Sequence, residues 1–333
     1  MRPLSAPVKV SLDVTEACNL ACAHCRSLPR CPPASPLTHS ELLAVIDDLA
    51  AMSVFRLGLS GGEPLLRPEL PELVHHAVAR GVGRVLISTN ATLITPAMLR
   101  ELTPSRGRIT LKASLDGPPQ VHDGLRGVEG ACAGTLRGLR LAVGEGFAVQ
   151  LTTTLMRPNL AHLAQIIDLG AELDCAAHFI VEVLPVGRAG MELLLSAKDR
   201  REAAAVIADR SRACAHRVVG RLAFAGDAGF GYSCEAGVAE CGILADGTIV
   251  GCRLLPEVSE GNVRDRPVSE VWRSADGFRF FRRSIDGALP NACRACASHA
   301  TCRGGCRAWA YHVSGDLRGP DLRCPVLAGD AER

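Results

Sequence analysis

From residue 8 to about 190, short apolar runs rich in β-branched residues alternate with stretches of helical period. VKVSLDV (8–14), FRLGLS (55–60), RVLIST (84–89), ITLKAS (109–114), AVQLTTTL (148–155) and HFIVEVL (178–184) are predicted strands. Between them, SELLAVIDDLAAM, ELPELVHHAVARG and NLAHLAQIIDLGAEL are predicted helices. Six strand–helix units with nearly continuous apolar strands predict a parallel sheet covered by helices. Chemistry in such sheets collects at the carboxyl ends of the strands. The unusual residues fall there too: CNLACAHC follows the first strand, SGGEP the second, STN the third and SLDG the fourth.

After residue 190 the pattern changes. The segment 191–230, with the helical stretch KDRREAAAVIADRSRACAHRV, reads as a bridge between a core of residues 1–190 and a C-terminal unit of residues 231–333. That unit is short turns, Gly and Cys, with a hairpin predicted at ILADGTIVGC around Asp246-Gly247 and a helix near PVSEVWRS. It has too few large apolar residues for an independent core, so bound metal is expected to supply much of its folding free energy. No repeat of solenoid period and no low-complexity tract interrupts the chain.

Composition narrows the class. With 47% hydrophobic and 22% charged residues over 333 positions the chain is globular, and 37 basic against 35 acidic residues leave a formal charge of only +2. No general field draws it to nucleic acid or anionic lipid. The start, MRPLSAPVKVSLDVTEACN, lacks a signal-peptide apolar stretch, and no later run is long and uncharged enough to span a bilayer. The chain therefore reads as cytoplasmic, with neither membrane nor nucleic acid as partner. In a reducing compartment its 15 cysteines, an odd number, point to metal ligation rather than disulfides.

Cys18-x3-Cys22-x2-Cys25 sits in the loop after the first strand. Three thiolates suit three corners of a cubane iron–sulfur cluster with one iron left open, and the bare spacing also admits a zinc site or a redox dithiol. CNLACAHC resembles the C-x3-C-x2-C signature of the radical S-adenosylmethionine (SAM) superfamily, and SGGEPLLRPEL, one unit further on, resembles the GGEP motif of the same family. The resemblance implies an α/β fold, a partial (β/α)6 TIM-like barrel, in which SAM chelates the open iron. Gly61, Gly62 and Pro64 would shape the SAM cradle, with Glu63 accepting from the ammonium group. Ser114 would contact the ribose and Arg126 pair with the SAM carboxylate. Thr89, Asn90 and Leu184 would border the adenosine pocket, and His24 fits the aromatic or histidine slot beside the adenine.

Cys234, Cys241 and Cys252, then Cys293-x2-Cys296-x5-Cys302-x3-Cys306 and Cys324, resemble the SPASM domain, the auxiliary-cluster extension of radical SAM enzymes, including its G-x4-C element at Gly247 to Cys252. By that resemblance Cys234, Cys241, Cys252 and Cys306 hold one auxiliary [4Fe-4S] cluster, and Cys293, Cys296, Cys302 and Cys324 the other. Spacing alone also allows two zinc sites of four thiolates. Cys31, Cys132, Cys175 and Cys214 remain, with packing as their default role. Cys175 precedes the sixth strand, on the side of the sheet opposite the expected chemistry.

The resemblance implies reductive cleavage of SAM to a 5'-deoxyadenosyl radical, with an electron donor such as flavodoxin or ferredoxin as partner. The expected substrate is a ribosomally made peptide. The alternatives are a small natural-product or cofactor precursor, such as an aminocyclitol sugar or a tetrapyrrole, or a non-catalytic metal-binding scaffold, against which the open triad and GGEP tell. In the sulfatase-maturating branch an acidic residue follows the equivalent of Cys252; here Arg253 stands there and argues against that activity. Since the chain begins almost directly at the first strand, a separate leader-peptide-binding protein is expected to present a peptide substrate.

Overall fold

The predicted strands form because their alternate side chains leave one face apolar. In Ile109–Ser114, for example, Ile109, Leu111 and Ala113 are buried while Thr110, Lys112 and Ser114 are half-buried. The computed structural model describes residues 4–26, 35–224, 234–274, 276–283, 289 and 291–327. Its strands are β1 (Lys9–Thr15), β2 (Arg56–Gly61), β3 (Arg84–Thr89), β4 (Ile109–Ser114), β5 (Ala148–Leu155), β6 (Ala177–Glu182), β7 (Arg217–Arg221), β8 (Glu240–Ile243), β9 (Thr248–Val250) and β10 (Ser259–Asn262). The helices that cover them include α1 (His39–Ala51), α2 (Leu70–Ala79), α3 (Pro96–Leu102), α4 (Pro119–Arg126), α5 (Ala131–Gly144), α6 (Leu163–Glu172) and α7 (Ala197–Ala213). The fold is of the expected α/β partial-barrel type, followed by the Cys-rich region.

Helix α1 starts where Thr38 can cap it. Its hydroxyl accepts from the Glu41 N–H at 3.3 Å, and the Glu41 carboxylate accepts from the Thr38 N–H at 2.7 Å. Beyond the cap, Leu42, Ile46 and Leu49 of α1, with Leu70, Leu73 and Ala77 of α2, pack on Val10, Leu12, Leu57, Leu59, Val85 and Ile87 in one core.

The sheet runs further than six strands. Its order is β10-β9-β8-β1-β2-β3-β4-β5-β6-β7, with β7 parallel to β6 and β8 parallel to β1. Thus the segment after residue 190 carries a helix, α7, and then a seventh parallel strand. The hairpin around Asp246-Gly247 extends the opposite edge, so it is tied to the core by backbone hydrogen bonds as well as through its cysteines. β7 escaped sequence reading because RVVGR is short, carries Arg at both ends and buries neither face fully. Among the described residues no helix is long and apolar enough to cross a membrane.

Candidate active site

Four strand ends and one loop build the site. The loop carrying Cys18, Cys22 and Cys25 leaves β1 and is stitched to the end of α4: Ala21 N–H donates to Arg126 O at 3.0 Å and Ala23 N–H to Leu125 O at 2.9 Å. From the other side, the turn after β2 runs against it, with Gly62 N–H on Thr15 O and Glu63 N–H on Ala17 O, both at 2.8 Å. This approach explains the glycine pair. A Cβ on Gly61, whose φ is +127°, would stand 2.1 Å from Thr15 O, and one on Gly62 would stand 2.1 Å from Ala17 O.

Glu63 is 1% exposed and caps the short helix Pro64–Leu66. Its Oε1 accepts from Leu65 N–H at 3.1 Å and Thr89 Oγ1 at 2.6 Å, and its Oε2 from Asn90 N–H at 2.7 Å. Burial pushes its pKa up despite these bonds. The carboxylate thus keeps acceptor capacity on Oε2 for one further donor. Asn90 Nδ2 in turn donates to Asn19 Oδ1 at 2.8 Å, tying the end of β3 to the cysteine loop.

Arg126 is buried, with Nη2 2.6 Å from Asp116 Oδ2 and Nη1 3.6 Å from Cys22 Sγ. Its Nε is buried with no hydrogen-bond partner among the described residues. His24 Nε2 lies 3.3 Å from the same Asp116 oxygen. Burial opposes ionisation of Asp116, but Arg126, His24 and His122 outweigh it and hold the carboxyl below its ordinary value. Burial lowers the His24 pKa, with Asp116 pulling the other way. Ser114 is half-buried at the end of β4, in register with Thr152. Leu184 packs where two apolar clusters meet the C-terminal region, one containing Trp309 and the other Phe281.

The triad thiols face one another closely enough for Cys22 and Cys25 to raise the Cys18 pKa, after burial as the first cause, and Leu20 N–H lies 3.5 Å from Cys18 Sγ. Among the described residues no three His, Cys, Asp or Glu side chains converge as ligands of a single metal ion. Three thiols in one loop suit three corners of a cubane cluster.

In the C-terminal region Cys293, Cys296, Cys302 and Cys324 line a single cavity with Phe224, Val326 and Leu327. Cys234, Cys252 and Cys306 pack against a second apolar group around Leu255 and Phe281. Burial raises the Cys252 pKa, and Cys234 and Cys306 raise it further. Cys241 stands apart. Its side chain is buried in the main core from strand β8, and the charges that act on it, after burial, come from Glu240 and Arg282 rather than from another thiol. The structure therefore brings three of the four residues of the first auxiliary set together and leaves out the fourth. The spacing could not show this, because Cys241 sits within a strand whose alternation turns it to the core.

Sequence reading also passed over Asp116 and Asn19, although both lie in the quoted motifs SLDG and CNLACAHC. Cys132 and Cys175 are buried as packing residues; Cys31 lies outside the described residues.

A loop of three thiols, stitched to a glycine-shaped shelf that presents a buried carboxylate, has the donor groups that an open iron–sulfur cluster beside a small charged cofactor would use. The radical SAM superfamily model matches residues 12–170, and an iron–sulfur cluster-binding domain, SPASM, matches residues 234–297. The AdoMet-dependent heme synthase of Methanosarcina barkeri is 31% identical over 348 aligned positions, covering 98% of both chains. The mycofactocin maturase MftC of Mycobacterium tuberculosis is 31% identical over 336, covering 97% of this chain and 84% of that one. Streptococcus suis SuiB bound to S-adenosylmethionine shares the fold at a TM-score of 0.82 and 17% identity, over 98% of this chain and 78% of that chain. The chain belongs to the radical SAM superfamily and carries a SPASM domain; it is a radical SAM enzyme, with iron–sulfur clusters and SAM as cofactors.

Proposed function

We propose that Cys18, Cys22 and Cys25 hold the SAM-binding [4Fe-4S] cluster, and that the enzyme matures a ribosomally made peptide by abstracting hydrogen from an unactivated C–H bond. The observation behind this assignment is the joint between the cysteine loop and the Glu63 shelf, where the donor set and the cofactor's charges match. With one electron from an external donor, a cluster held there by Cys18, Cys22 and Cys25 would supply reductive cleavage of SAM, whose products are methionine and, after one hydrogen atom is taken from the substrate, 5'-deoxyadenosine, with the unpaired electron left on the substrate.

The chain's own groups orient the cofactor. Glu63 accepts from the ammonium through its remaining lone pair, and Arg126 donates to the carboxylate through its orphaned Nε. Gly61, Gly62 and Pro64 keep the shelf against the loop, and Thr89 and Asn90 fix the Glu63 rotamer. His24, beside Asp116, borders the adenine, Ser114 meets the ribose hydroxyls, and Leu184 closes the apolar side. Cys293, Cys296, Cys302 and Cys324 hold one auxiliary cluster, and Cys234, Cys252 and Cys306 the other. A flavodoxin- or ferredoxin-like protein delivers the electron.

The mycofactocin maturases support a peptide substrate. The heme synthases, equally identical, favour a second reading in which the substrate is a tetrapyrrole cofactor precursor. Reduced, reconstituted enzyme with SAM should form 5'-deoxyadenosine faster when given a candidate short precursor peptide, with the mass change of a modified peptide. Stimulation by iron-coproporphyrin and not by the peptide would replace the first reading with the second.

A further inference from the structure

The strand face turned away from the helices is polar, where closed barrels fill theirs with branched apolar side chains. Asp13 is in register with Ser60, and Lys112 with both Ser88 and Gln150. Lys112 projects from this face, since Leu111 and Ala113 on either side are buried against the core. Arg253 reaches the same face from beyond β9. A Cβ on Gly242 would stand 2.5 Å from Arg253 Cγ, and Gly242 pairs with Ser11, two residues before Asp13 and on its face of β1.

Charge on this face does not balance. Asp13, 5% exposed, accepts from Arg253 Nη1 at 2.7 Å and from Arg26 Nη2 at 3.1 Å on both oxygens. One carboxylate thus serves two guanidiniums. Among the described residues Lys112 has neither an ion pair nor a hydrogen bond to its ammonium, and the charged groups acting on it are Arg253, Arg221 and Arg56, all cations. Cations gathered on a half-buried face with a single shared carboxylate repel one another, and an entering anion relieves that repulsion.

We propose that Lys112 and Arg253 receive a carboxylate of the substrate on the polar face of the sheet. Lys112 stands two residues before Ser114, about 7 Å along the strand, so an anchored carboxylate would sit beneath the strand ends where SAM is placed and would select the C–H bond presented to it. Burial and the neighbouring guanidiniums push the Lys112 ammonium down to about 8, as expected for a cation held among cations. The assignment rests on the proposed function, whose peptide and tetrapyrrole substrates both carry carboxylates.

Calorimetric titration of the reconstituted enzyme with succinate at low ionic strength tests it. Wild type should bind succinate in preference to succinamide and to inorganic phosphate. Lys112→Met and Arg253→Met should each weaken binding by about tenfold or more, and Lys112→Arg should retain it. Because Lys112 faces cations, Lys112→Met without succinate should melt no lower than wild type. No succinate binding, tighter binding of phosphate, or equal affinity in both Met variants with iron content intact would overturn the proposal. Formation of 5'-deoxyadenosine by wild type is read separately, so failure of the radical chemistry is distinguishable from failure of the carboxylate site.

Discussion

Glu63 shows how one side chain joins fold and chemistry. Three of its acceptor positions anchor Leu65, Thr89 and Asn90, and the remaining capacity is assigned to SAM. Glu63→Gln keeps the shape and removes the charge, so SAM affinity in equilibrium titration should fall by on the order of 1.5–3 kcal/mol while iron content stays at the wild-type level. Unchanged affinity would remove Glu63 from the cofactor site. Cys241 makes the opposite case. Buried in the core away from the other thiols, it should be replaceable by Ser or Ala without loss of iron, whereas Cys252→Ser should lose iron from the auxiliary set it shares with Cys234 and Cys306. Iron loss in the Cys241 variants would return it to the ligand set.

At the scale of elements, β5, β6 and α6 enclose a histidine that resists protonation. His178 is fully buried, 2.8 Å from Thr153 Oγ1, and burial, reinforced by His216, pushes its pKa down to about 3. A histidine whose folded pKa lies below its unfolded value near 6.5 takes its proton preferentially in the unfolded chain. Its contribution to stability is therefore whole above about pH 6.5 and falls as the pH drops towards the folded value. Between pH 7.5 and 5.5 this amounts to on the order of 1 kcal/mol. Urea midpoints should drop more steeply over that interval for wild type than for His178→Gln, and parallel slopes would contradict the assignment.

The six strands were legible because each buries one face, and alternation or apolar continuity records that burial in the sequence. Their carboxyl ends were equally legible, since Cys triads and Gly-Gly-Glu are rare residues in fixed order. The attachment of β8 to β1 was not, because register between segments more than 200 residues apart leaves no local signature in ECGI. Nor could the sequence show that Arg26 and Arg253 share Asp13, which depends on that same attachment.

For the molecule as a whole, the barrel and the cysteine-rich region are locked by a buried charge network. Glu182 at the end of β6 binds Arg200 at 3.3 Å and Arg323 at 2.9 Å; Arg323 pairs with Asp321 at 2.7 Å and lies 4.0 Å from the centre of the Trp309 ring. Asp321 also accepts from the Cys306 N–H at 3.0 Å. Removing one partner leaves buried carboxylates uncompensated, a loss of about 3–5 kcal/mol. Arg323→Met should therefore release auxiliary iron and retain the N-terminal cluster. Unaltered iron in that variant would show that the network does not hold the auxiliary sites.

The most direct measurement is SAM cleavage by anaerobically reconstituted, dithionite-reduced protein, with metal content determined on the same sample. Wild type should contain iron, about twelve atoms for three cubanes, and should form 5'-deoxyadenosine even without substrate. Cys22→Ala should form none while retaining auxiliary iron. Zinc in place of iron, or 5'-deoxyadenosine from the Cys22→Ala protein, would contradict the assignment of Cys18, Cys22 and Cys25 to the cluster that cleaves SAM.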